Sequence, residues 1–152
     1  MLSIVKGCKI QDPSILYEGY ERIESGFAAN VNAEKIQELF EHFILLHNEY
    51  CFVILEVPTN AKEEPALTSD GTQPLHKDIY YLDGLTPERA IAFLQVFGEW
   101  VINDGMSSFG IGIHSGANEI VLDRYNVVKV FTKTPKNYDN FLKVLVFAKF
   151  LI

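Results

Sequence analysis

At 152 residues, with 48% hydrophobic and 12% aromatic content, the chain is long enough for one domain with its own core and too apolar to be disordered. A net charge of -7 argues against nucleic-acid binding through a basic footprint, and two cysteines, Cys8 and Cys51, make no disulfide framework. No apolar run reaches the roughly 20 residues of a membrane helix, and MLSIVKGCKI is too short and broken for a signal peptide, so a cytoplasmic protein of bacterial type is the default.

Leu2 to Lys6 reads as an opening strand ended by Gly7, and Asp12-Pro13 as a turn. Between Ile15 and Glu24, Tyr17, Tyr20 and Ile23 recur every three residues. That spacing suggests one or two helical turns, which Gly19 and Gly26 weaken. A firmer helix follows, with Asn32 as N-cap and Ile36, Leu39, Phe40, Phe43 and Leu46 on one apolar stripe. His42 and His47 lie five apart and share no ligand face. CFVILEVP, residues 51–58, is a short β-rich run closed by a proline, and so a well-covered strand. Glu56 within it needs either a partner or access to water.

Residues 58–77 have three prolines and Asp70-Gly71, and read as one long loop: a mobile lid or a decorated hairpin connection. DIYYLDG, residues 78–84, returns as a strand. Thr86 and Pro87 then start a helix that runs to about Asn103, with Gly105 past its end. This helix is apolar on nearly every side, which predicts a central, buried element, and Gly98 predicts a close backbone neighbour.

DGMSSFGIGIHSGANEIVLDRYNVVKVF, residues 104–131, reads as three antiparallel strands. Phe109, Ile111 and Ile113 alternate with Gly110, Gly112 and His114, so one face is bulky and the other nearly bare. The bare face suggests close helix packing, access for a ligand, or relief of a bend, with packing of the 87–103 helix favoured. A last helix through Tyr138, Phe141, Leu142, Leu145 and Val146 ends in VFAKFLI, which also reads as a strand. The expected fold is a single α+β domain over 1–152: an antiparallel sheet of about five strands, with about three helices mainly on one face.

Chemistry is sparse. There is no CxxC pair, HExxH, GxxxxGK[ST], GxSxG or aspartate-rich calcium loop, and nothing implies a cofactor or metal. Gly110-Ile111-Gly112 falls within a strand and so is no dinucleotide fingerprint. His114 and Glu119 flank a hairpin loop and make the fallback acid–base pair, with Asp123 and Ser115 nearby. His76 and Asp78 form a lesser pair. In a small enzyme or ligand-binding domain, the pocket would lie between the 58–77 loop and the glycine face.

Charge is the stronger signal. Residues 11–70 hold 12 acids and 3 bases, a net of -9, while the remainder holds 8 acids and 10 bases, a net of +2. Glu34, Glu38 and Glu41 share one outer helix face, and Glu18, Glu21 and Glu24 precede them. These six are the candidate partner-binding residues, because a one-sign patch steers the approach of a basic partner. The Glu-rich first half and the run WVINDGMSSFGIGIHSGANEIVLDRYNVVKVF together resemble, as a type, the small acidic α+β immunity and antitoxin proteins of Gram-positive bacterial toxin systems. The resemblance implies a non-catalytic protein that plugs a toxin, commonly a basic nuclease, with acidic side chains acting as phosphate mimics. A further possibility is a structural subunit that dimerises through an exposed strand edge or the apolar C-terminus.

Overall fold

The computed structural model describes residues 1–59, 76–123 and 125–145. Seven strands form one antiparallel sheet. They are β1 (Gly19–Ile23), β2 (Gly26–Asn30), β3 (Cys51–Pro58), β4 (Lys77–Leu85), β5 (Ser108–Ile113), β6 (Asn118–Leu122) and β7 (Val127–Phe131). Their spatial order is β1-β2-β7-β6-β5-β3-β4, so β1 and β4 are the two edges. Among the described residues three helices complete the α+β fold: α1 (Ala33–His47), α2 (Pro87–Asn103) and α3 (Asp139–Leu145). Of residues 58–77, read as one long loop, Pro58 ends β3 and Lys77 starts β4, while 60–75 lie outside the described residues, as does the terminal VFAKFLI, residues 146–152.

The sheet exceeds the expected five strands because residues 19–30 form a hairpin, not helical turns. Tyr20 points into the core at 2% exposure, and Glu21 after it points to the other face and is half-buried. The three-residue recurrence of aromatics there was fortuitous, and Ala28 and Ala29 supply too little bulk to show a period of two.

Leu2–Lys6 is not a strand either. Leu2 and Val5 are buried, but asparagine side chains replace a neighbouring strand. Ser3 N–H donates to Asn32 Oδ1 at 2.8 Å, Val5 N–H to Asn126 Oδ1 at 3.1 Å and Lys6 N–H to Asn103 Oδ1 at 2.9 Å. Asn126, 1% exposed, also donates Nδ2 to Ser3 O at 2.6 Å and to Val31 O at 2.7 Å. A buried amide that uses its whole hydrogen-bonding capacity this way holds an irregular segment as firmly as a ladder would. The segment is closed at Gly7 and Gly105, where two backbones touch: a Cβ on Gly7 would lie 2.3 Å from Asp104 O, and one on Gly105 2.2 Å from Gly7 O.

Strand alternation decides which sheet face is covered. Phe109, Ile111 and Ile113 of β5 share a face with Cys51, Val53, Ile120, Leu122, Val128, Val130, Phe27 and Tyr20, and all of these are buried. α1 packs here, with Phe40 stacked on Phe109 at 4.4 Å between ring centroids. α2 lies beside α1 and over β3 and β4. Asn32 precedes α1 as expected, but its side chain serves Ser3 instead of the helix. Thr86 does cap α2, accepting from Arg89 N–H at 3.3 Å.

Among the described residues no helix packs on the glycine face, contrary to the expectation that α2 does. Gly112 is bare because the Phe52 ring, from the neighbouring strand β3, lies across it. A Cβ at Gly112 would stand 2.1 Å from Phe52 Cζ. α2 differs from expectation too. Its inner side (Ala90, Leu94, Gly98, Val101, Ile102) is buried, yet Val96, Phe97 and Trp100 are 72%, 48% and 66% exposed. Gly98 does meet a close neighbour, the Gln37 side chain of α1.

Candidate functional site

The six glutamates do not form one surface. Glu18 is spent on the fold: its carboxylate accepts from Asn32 N–H at 3.1 Å and from Lys35 Nζ at 2.8 Å, and its side chain is 8% exposed. Glu21 projects from the edge strand β1 onto the helix-free sheet face, while Glu24 is exposed in the β1–β2 turn. Glu34, Glu38 and Glu41 stay together on the outer side of α1. Glu34 is held below the ordinary carboxylate range by its own backbone amide and then by the Ser3 hydroxyl. Glu41 accepts from Gln37 Nε2 at 3.0 Å, and Glu38 is exposed.

His114 and Glu119 are not brought together. His114 Nε2 meets Asp83 Oδ1 of β4 at 2.8 Å, both side chains about half exposed. Asp83 is held below the ordinary range by that bond first, then by the Gly84 amide. The His114 ring lies against Phe52 at 4.9 Å, and Phe52 against Tyr81 at 5.5 Å. Glu119 stands on the helix-free face opposite Gly112 and Phe131, and burial pushes its carboxyl up. The other members have partners of their own. Ser115 donates to Glu49 at 2.7 Å, Asp123 pairs with Lys129 at 2.8 Å, and Asp78 accepts from the Thr59 hydroxyl at 3.1 Å. His114–Asp83 can hold a proton, but water reaches both groups and no nucleophile is bonded into the pair. Among the described residues, no three His, Cys, Asp or Glu side chains gather as a metal site would require.

A hollow of about 320 Å³ lies at the other end of β5, lined by Val5, Cys8, Met106, Ser108, Asp123 and others. Burial pushes the Cys8 thiol up, away from the thiolate that a nucleophile needs, and Asp123 is engaged by Lys129. The Cys8 thiol and the Asp123 carboxylate of this hollow are thus unprimed.

Surface recognition is better provided for. On a 3.6-residue turn, Glu99 and Ile102 of α2 border a hollow shared with Glu34 and Gln37 of α1. Val96, Glu99 and Trp100 border a second, open hollow with Lys6 and Asp104. The outer surface of the helix layer is thus apolar at Val96 and Trp100, with acidic Glu34, Glu38 and Glu99 around them. Lys6 answers Glu99 at 2.8 Å. The sequence showed the acidic part of this surface but not the apolar part, because a continuous apolar helix gives no sign of which side will lack a neighbour. Asp83, the partner of His114, was equally hidden, since β3 stands between their strands.

No protein-family model matches the chain, nor does any curated protein or solved structure. Among the described residues, no helix is long and apolar enough to cross a membrane.

Proposed function

We propose that this protein works by binding another protein through the outer surface of its helix layer, and that the partner is basic. The carrying observation is the exposure of Val96 and Trp100, 72% and 66%, on a helix whose other side is core. An exposed tryptophan beside other apolar groups is the type of residue that dominates interface energetics, and solvated apolar patches mark interaction sites. The surrounding charge supports the choice of partner. α1 and α2 carry five glutamates against Lys35 and Arg89, and Lys35 is paired with Glu18. An acidic rim attracts a basic surface and repels an acidic one. A basic toxin domain neutralised by an immunity-type protein is the most specific form of this reading.

The test is capture from native-host extract on immobilised protein, with retained proteins identified by mass spectrometry. Wild type is compared with Trp100→Ala and with a Glu34→Gln, Glu38→Gln, Glu99→Gln triple variant. The expected result is a basic protein held by wild type, released by salt, and bound roughly 30-fold more weakly after loss of Trp100, as a hot-spot truncation of ~2 kcal/mol implies. Capture indifferent to both variants, or no capture, overturns the proposal.

A further inference from the structure

The two edges of the sheet are built differently. β1 is five residues long and carries Gly19, Glu21 and Arg22, the short and charged form that blunts an edge. β4 is nine residues long, and four consecutive large apolar residues lie open on it: Ile79 at 66%, Tyr80 at 59%, Tyr81 at 54% and Leu82 at 50% exposure. Among the described residues, no strand pairs with its outer edge. α2 continues this apolar region. Phe93 and Phe97, 5.4 Å apart between centroids, fall on the flank of α2 opposite Glu99. Glu99 faces the α1 side, so the phenylalanine flank faces β4, where Phe97 is 48% exposed. A long, flat, apolar edge with free backbone groups is a template for one more strand.

We infer that β4 pairs antiparallel with β4 of a second copy of this chain, joining two sheets of seven strands into one. Three features of the strand point to a second copy. An edge related to itself by a two-fold axis normal to the sheet is automatically antiparallel and keeps each face on its own side. The regular part of β4 ends at a bulge after Leu82, where Gly84 has φ +70°, so the pairing is centred no later than Tyr80, and Tyr80 is the centre that sets opposite charges face to face. That register sets Tyr80 opposite Tyr80, Ile79 opposite Tyr81, and Lys77 opposite Asp83 on each side of the axis. Lys77, Ile79, Tyr81 and Asp83 share one face, so the two charge pairs bracket an apolar centre and extend the pairs that Lys77 makes with Glu56 at 3.5 Å and Asp83 with His114 at 2.8 Å in each copy. Centring one residue later, on Tyr81, would carry the pairing beyond Asp83 to Gly84 and set Asp83 against Ile79.

The open apolar side chains supply part of the area that a dimer interface needs. At ~200 Å² per aromatic side chain, Tyr80, Tyr81 and Phe97 offer about 300 Å² of open surface. Ile79, Leu82 and the strand backbone carry the contact toward the ~800 Å² per partner of a standard interface.

The whole chain is measured by sedimentation equilibrium or light scattering across the micromolar range. Twice the 17.2 kDa chain mass is expected for wild type, and a single chain mass for Tyr80→Lys, which sets two like charges face to face at the axis. Circular dichroism confirms that Tyr80→Lys keeps its fold. Register is read from oxidative cross-linking. Tyr80→Cys forms a disulfide-linked dimer, and Ile79→Cys and Tyr81→Cys cross-link when mixed but not alone, against a wild-type background set by Cys8 and Cys51. A monomeric wild type, or a dimer untouched by Tyr80→Lys and without the Tyr80→Cys cross-link, overturns the inference.

Discussion

Asn126 offers the sharpest test of how the fold is held. It is 1% exposed and makes three hydrogen bonds, all to backbone: from Val5 N–H, and to Ser3 O and Val31 O. Asn126→Ala removes all three. Ser3 O keeps Ala33 N–H at 2.9 Å, so it is not orphaned. Val5 N–H and Val31 O lose their side-chain partner in a buried place. Each such group costs ~1–3 kcal/mol, so the substitution should cost about 3–4 kcal/mol after partial relief by water. For a domain with ~5–15 kcal/mol of total stability, that is a large fraction. Urea unfolding followed by circular dichroism reads it as a midpoint lowered by about 2 M at a typical slope of ~2 kcal/mol/M. Asn32→Ala is the control. It removes one acceptor from an exposed bond, Ser3 N–H to Asn32, and should cost about 1 kcal/mol or less. If Asn126→Ala stays within about 1 kcal/mol of wild type, or matches Asn32→Ala, the account of the N-terminal segment as a strand substitute held by a buried amide is wrong.

Two further outcomes follow from the helix-free face. Gly112→Ala should destabilise by about 1–2 kcal/mol, because the new Cβ meets the Phe52 ring at 2.1 Å and pushes it off its packing with His114. In a Phe52→Ala background the same change should be neutral or favourable, so additive costs in a double-mutant cycle would refute the overlap. Glu119 titrates above the ordinary range because burial disfavours its charge. A carboxyl raised in the folded state binds its proton more tightly there than in the unfolded chain. Its contribution therefore falls as pH rises from the unfolded value of ~4.3 through the folded one. Glu119→Gln should accordingly be more stable than wild type at neutral pH, with the gap closing below about pH 4. Parallel urea midpoints for the two proteins across that range would rule this out.

The central strands and two long helices were legible in the sequence because their signals are local. Phe109, Ile111 and Ile113 alternate, and Thr86-Pro87 starts a helix whatever lies around it. What was not legible depends on partners distant in sequence. Leu2–Lys6 has the composition of a strand, but the groups that satisfy its backbone are the side chains of Asn32, Asn103 and Asn126, up to 123 residues away along the chain. Residues 19–30 lacked bulk to show their period until β7 was placed beside them. The glycine face was seen as bare, but what lies over Gly112 is Phe52, on a strand 60 residues earlier. The six acidic residues were read as one group, and the fold separates them. Only backbone geometry shows that Glu21 and Glu38 look out from opposite sides of the sheet.

The sheet order has a consequence for how the chain is made. β2 joins the sheet only by pairing with β7, Gly26 opposite Phe131. A ribosome adding ~5–20 residues per second leaves an interval of roughly 5–20 s between them. Through that time β1 and β2 have only each other, and a lone two-stranded hairpin is marginal in water. Tyr20 and Phe27, both 2% exposed in the finished fold, have no sheet to enter. A nascent chain stalled anywhere before Val127 therefore displays its N-terminal hairpin as an unprotected apolar segment, which makes translation speed through β3 to β6 a determinant of how much chain reaches the folded state.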